Sequence, residues 1–169
     1  EHPDWLSNAY LVADGPGGHG VLVDSNGIGE PLYEAVARHD ITITHVLITH
    51  QHQDHVVSSR ADAERYGVPL CAHPLTARVV SGVDRTFEDG EVLRSGELEI
   101  RVIHTPGHCQ DHCSLLVAGT DCLTADCLFH GTVGGTMNGG PNGFQDIRSS
   151  IMDRLMALPH ATRIHPGHR

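Results

Sequence analysis

No apolar run in the 169-residue chain approaches the roughly twenty residues that a membrane-spanning helix needs. The opening Glu1-His2-Pro3-Asp4 lacks the basic and apolar regions of a secretory signal, so the expectation is a cytoplasmic protein with no membrane partner. The five cysteines, Cys71, Cys109, Cys113, Cys122 and Cys127, are odd in number and contain no C-x-x-C pair, which argues for reduced thiols rather than a disulfide framework. Basic residues are outnumbered 11 to 21, and the resulting net charge of −10 is a poor match for a nucleic acid. Aromatic side chains are scarce, with three Phe and one Trp. Histidine is not: there are fifteen, several of them beside Asp, Thr or Pro-Gly.

The length suits one domain, residues 1–169, with a real core and a short C-terminal end. Turn residues and apolar alternation predict strands over 10–13, 21–24, 44–49 and 68–72, then over 91–94, 98–104, 114–118, 122–125 and 162–164. Helices are expected from Pro31 to about Arg38, over 56–66 and over 74–80. A last helix carries Ile147, Ile151, Leu155 and Leu158 on one face, with Met152 and Met156 beside it. Between Phe129 and Gly143 lies a Gly-rich segment with neither period, read as a loop near a site. Each half supplies sheet and covering helices, the pattern of two sheets packed face to face under outer helices.

The densest chemistry is His50-Gln51-His52-Gln53-Asp54-His55, directly after the apolar run Val46-Leu47-Ile48-Thr49. Neutral imidazoles with a carboxylate suit Zn, Fe or Mn. His50 and His52, two apart in a turn, can face one ion, while Asp54 and His55 continue into a helical turn and can reach another. Further donors stand after other strands: His108 in Thr105-Pro106-Gly107-His108, Asp126 after Ala125, and His168 in Pro166-Gly167-His168. Pro-Gly before His makes a tight turn that presents the ring away from the sheet edge. His168 is preferred to His165 for that reason, though either could bind. His45, His104 and His112 read as second-rank or structural, and His19, His73 and His160 as surface. Cys109, Cys113 and Cys127 crowd the same stretches, but a full ligand set exists without them.

The series His50-x-His52-x-Asp54-His55, His108, Asp126, His168 resembles the metallo-β-lactamase fold superfamily over almost the whole chain, and most of all its glyoxalase II-like hydrolases. Asn8-Ala9-Tyr10-Leu11-Val12, His112 four residues after His108, and Ala125-Asp126-Cys127-Leu128-Phe129 add to the likeness. The resemblance implies an α/β fold, a four-layer αββα sandwich of two mixed sheets. It also implies two divalent ions, with Zn expected and Fe or Mn as alternatives. His50, His52 and His108 would hold one, Asp54, His55 and His168 the other, and Asp126 both. The implied reaction is attack on a carbonyl by a metal-bridging hydroxide, with Asp54 orienting the nucleophile. The expected substrate is a small-molecule thioester, with pocket walls from Trp5 and Phe129 and support to the ligands from His104 and His112.

Departures from relatives narrow the choice. Asp126 stands where some β-lactamases carry a Cys, and Phe129 where the lactonases carry a Tyr, so both activities are disfavoured. The segment 130–136 contains no Arg or Lys, and Val57-Ser58-Ser59 replaces small Gly-rich residues after His55. A mononuclear Fe persulfide dioxygenase, a lactonase or other esterase, and a non-catalytic metal-binding module of the same fold stay as rival readings. Nothing in the sequence sets the oligomeric state.

Overall fold

Alternating side chains along each strand must find two different apolar environments, and the computed structural model, which describes residues 1–168, shows where they find them. The first half of the chain runs β1 (Tyr10–Ala13), β2 (His19–Val23), α1 (Glu30–Arg38), β3 (Thr42–Leu47), α2 (Gln53–Val56), α3 (Ser59–Tyr66), β4 (Leu70–Ala72) and β5 (Arg85–Thr86). The second half runs β6 (Val92–Ser95), β7 (Leu98–His104), β8 (Cys113–Val117), β9 (Asp121–Ala125), α4 (Gly143–Ser149) and β10 (Arg163–Pro166). They form two five-stranded sheets, β1-β2-β3-β4-β5 and β10-β9-β8-β7-β6. Both are mixed: β2–β3, β3–β4, β4–β5 and β9–β10 pair in parallel, the other neighbours antiparallel.

Between the sheets lie Val21 and Val23 of β2, Leu47 of β3, Ile100 and Val102 of β7, and Leu115 and Val117 of β8, closed by Phe87. The intervening residues point outward. Leu22, Ile43 and Val46 meet Val36 of α1 and Ala63 of α3, while Ile103, Leu116 and Cys122 meet Ile147 and Leu155. The order of layers is therefore helix, sheet, sheet, helix, the αββα sandwich expected. Among the described residues no helix is long and apolar enough to cross a membrane.

Two expected helices differ. The helix expected over 56–66 is broken into α2 and α3, because the Ser58 amide donates to the Ser25 carbonyl and its hydroxyl accepts from Gly27 N–H. That diversion ties the loop after β2 to the His-rich turn. The segment 74–80 holds only one 3₁₀ turn, Thr76–Arg78, and β5 was not anticipated. The last helix keeps its apolar face, with Ile147 and Leu155 buried and Met152 and Met156 exposed, but after α4 it widens to a π-helix over Ser150–Leu155.

At one rim the sheets open side by side. The Cys113 amide donates to the Thr49 carbonyl across the gap, and the Asn8 amide donates to Gly167. Gly107 has φ +132°, and a Cβ there would stand 2.2 Å from the Ile147 amide nitrogen, so only glycine lets α4 close over this turn. Leu115 is fully buried in the intersheet core. Leu115→Ala should destabilise the fold by about 2–5 kcal/mol in denaturant titration, through lost burial and an unfilled cavity.

Candidate metal centre

The rim gathers residues from five chain segments. β3 delivers Thr49 and His50, the following turn His52, and α2 Asp54 and His55. β7 leads to His108, β9 to Asp126 and β10 to His168. Asp24 follows β2, whose parallel pairing sets Val23 beside Leu47 and so carries Asp24 to the same edge. Asp24 and Ala125, two of five such non-glycine residues among those described, have positive φ, 54° and 41°, an uncommon conformation for a residue with a side chain.

Two clusters result. In the first, His52 Nδ1 lies 3.1 Å from His50 Nε2 and 2.9 Å from His108 Nε2, and Asp126 Oδ2 lies 3.5 Å from His108 Nε2. In the second, Asp54 Oδ2 lies 3.5 Å from His55 Nε2 and 3.3 Å from His168 Nε2. Asp126 belongs to both, with Oδ1 3.4 Å from His55 Nε2 and Oδ2 3.3 Å from His168 Nε2. Gly167 makes that approach possible, since a Cβ on it would meet Asp126 Oδ1 at 2.2 Å.

Orientation comes from behind. His55 Nδ1 donates to Asp24 Oδ2 at 2.9 Å, and Asp24 also accepts from the Thr49 amide and hydroxyl. His50 Nδ1 lies 3.0 Å from the same hydroxyl, so one buried carboxylate fixes two imidazoles with their Nε2 atoms facing the cluster. His108 Nδ1 donates to the Gly135 carbonyl at 2.7 Å. His52 Nε2 lies 3.3 Å from Asn138 Nδ2, the outer contact of that ring. Buried His112 accepts the Asp126 amide on Nε2, holding that residue's backbone.

Several expected residues lie elsewhere. His104 stacks on His73 at 4.7 Å and bonds the Gln110 carbonyl, so it braces the 105–110 turn rather than a ligand. His165 bonds Asp121, which leaves His168 as the residue at the rim. Phe129 meets His168 edge-on at 5.9 Å, whereas exposed Trp5 stacks on His2. All five cysteines are free and buried, with burial raising each thiol pKa, Cys122 and Cys127 to about 12. Asp24, Thr49 and Asn138 were missed by sequence reading. Asp24 had one visible signal, a carboxylate directly after the apolar Val21-Leu22-Val23.

The electrostatics fit cations. Burial opposes a charge on His55, but Asp24 and Asp126 outweigh it and raise its pKa to about 10. Bonds to Asp126 and Asp54 raise His168 to about 9. Burial pushes Asp126 and Asp54 up, yet the surrounding imidazoles hold both below the ordinary carboxylate range. Burial holds His50 and His52 down, and His112 down to about 3. Among the described residues the buried Asp126 Oδ1 makes no hydrogen bond, a lone pair aimed into the cluster. An orphaned carboxylate oxygen, backed imidazoles and converging Nε2 and Nδ1 atoms make a donor set suited to divalent metal.

With this geometry in place, residues 2–168 match the Metallo-beta-lactamase superfamily, and the chain belongs to that family. It is 35% identical over 159 residues to a hydroxyacylglutathione hydrolase of Mesorhizobium japonicum, covering 94% of this chain and 60% of that protein. It thus spans about three fifths of the length of that relative. The crystal structure of ETHE1 from Myxococcus xanthus superposes with a TM-score of 0.85 at 30% identity, covering 97% of this chain and 71% of the other. TTHA1623, solved in a di-iron-bound form, gives 0.76 at 29% identity, covering 100% and 90%. The fold and the hydrolase relatives support a metal-dependent hydrolase.

Two outcomes test the supporting shell. Asp24→Asn should weaken metal binding by about 10–100-fold in competition with a chromophoric chelator, because it removes the charge that orients His55 and His50. In chelator-treated protein, the raised pKa values of His55 and His168 favour folding below about 6.5, an advantage lost as pH climbs toward 9–10. The lowered values of His50, His52 and His112 act oppositely, costing stability as pH falls below about 6.5. The thermal midpoint of the metal-free protein should therefore peak near pH 6.5, with the alkaline decline abolished by added metal.

Proposed function

We propose that the protein is a dinuclear metal hydrolase that cleaves a small-molecule thioester, of glyoxalase II-like type. The observation that carries this reading is that Asp126 lies within 3.5 Å of His108 in one donor cluster and within 3.4 and 3.3 Å of His55 and His168 in the other. His50, His52 and His108 would hold one divalent ion, Asp54, His55 and His168 the other, and Asp126 would reach both. Zn is the expected metal, with Fe or Mn as alternatives. When bound, the pair supplies Lewis acidity that polarises the carbonyl and lowers the pKa of the attacking water.

The remaining work falls to the chain. Asp54 is half-buried and kept ionised by His168, so it can accept a hydrogen bond from the attacking water and orient it. Asp24 keeps His55 directly, and His50 through Thr49, in the tautomers that leave Nε2 free. Phe129 lies edge-on to His168 and forms one wall, and Trp5 is assigned to the outer approach. No side-chain nucleophile is required.

A persulfide dioxygenase with a single iron is the second reading, favoured by the likeness to ETHE1. The Asp54–His55–His168 cluster favours the first, because it offers donors for a second ion. Gently purified protein should contain about two transition-metal ions per chain and hydrolyse thioesters without consuming oxygen. Asp54→Ala should lower kcat/KM by about 10²-fold or more. Protein with only traces of metal would sink both readings, and persulfide-dependent oxygen uptake would replace the first with the second.

A further inference from the structure

Beside the metal centre, against the His-rich turn, lies an open pocket of about 580 Å³. Its volume falls in the range of small-molecule sites. Val56, Val57, Leu70, Val79 and Val80 form an aliphatic wall. Val57 and Val79, 44% and 65% exposed, are the most open of its aliphatic residues. Gln51, His52 and Gln53 form the opposite side, so the pocket and the first donor cluster share His52.

The guanidinium in the lining, Arg60, is ion-paired with two carboxylates, although its buried Nε makes no hydrogen bond. It donates to Asp84 at 2.8 Å and to the Gly82 carbonyl at 2.9 Å, and its Nε lies 3.1 Å from Glu64. The pocket thus presents an aliphatic wall, the uncharged polar groups of Gln51, Gln53 and Ser81, the His52 ring and an ion-paired cation. Such a lining offers an aliphatic chain its valine wall, and the cation it holds is already ion-paired with Asp84 and Glu64.

Resting on the thioesterase reading above, we propose that this pocket receives the acyl chain of the substrate, and that the chain is an uncharged aliphatic one of several carbons. The amides of Gln51 and Gln53 flank its entrance from the metal side, while the valines fill the space around its end. The wall comes from the broken helix pair α2–α3 and the 79–81 segment, so it is built by the same Ser58 diversion that sets the approach of His55.

The test uses full-length metal-loaded protein and acetyl, butyryl, hexanoyl and octanoyl thioesters of one neutral thiol, N-acetylcysteamine. Specificity should rise through KM by on the order of threefold per methylene until the pocket is full. Val79→Asp, which sets a carboxylate on the lip, should flatten that gradient with metal content unchanged. Measurable acetyl turnover with no chain-length gradient, or a gradient that survives Val79→Asp, overturns the proposal while leaving the thioesterase reading intact. Should no thioester be cleaved, that reading falls, and ligand-observed NMR with the thioether S-hexyl-N-acetylcysteamine decides the pocket alone. Line broadening lost in Val79→Asp supports it; broadening absent from the wild type, or retained in the variant, overturns it.

Discussion

Burying the Asp126 carboxylate is the constraint on which the rim depends. A carboxylate taken from water needs compensation, and here it comes from imidazoles delivered by both sheets. Those imidazoles are themselves buried and need partners on their other nitrogens, which calls in Asp24, Thr49, Gly135 and Asn138. One interior charge thus explains why residues from opposite ends of the chain must converge. It also explains the two positive-φ residues: Ala125 turns the chain so that Asp126 faces inward, and Asp24 bends so that its carboxylate meets His55.

The sandwich makes this convergence a matter of docking. Each donor cluster takes members from both sheets: His50 and His52 with His108, and Asp54 and His55 with His168. Neither is complete until the intersheet core of Val21, Val23, Leu115 and Val117 has closed. Metal that binds only the closed arrangement adds its binding free energy to the stability of the fold.

Much of this was legible in the residues. Period-two apolar runs located most strands, and the donor series at their ends was visible because each member follows an apolar stretch or a Pro-Gly turn. What was not legible depends on pairing. Asp24 acts only because β2 lies parallel to β3, which sets it beside a threonine 25 residues away. The break at Ser58 came from hydrogen bonds to Ser25 and Gly27 that no local periodicity encodes. His104 was placed near the centre by proximity in sequence, but it stacks on His73 and bonds the Gln110 carbonyl. Asn138 was hidden in a segment that has no period to read.

That segment separates the rim imidazoles in kind. His55 leans on Asp24, 2% exposed and rooted where a strand leaves the core, whereas His52 and His108 take their outer bonds from Asn138 and Gly135, both exposed. Surface glycine-rich backbone yields at lower free energy than a strand end packed on the core. The outer supports of the rim imidazoles are therefore unequal: those of His55 and His50 are rooted in the core, and those of His52 and His108 rest on the surface.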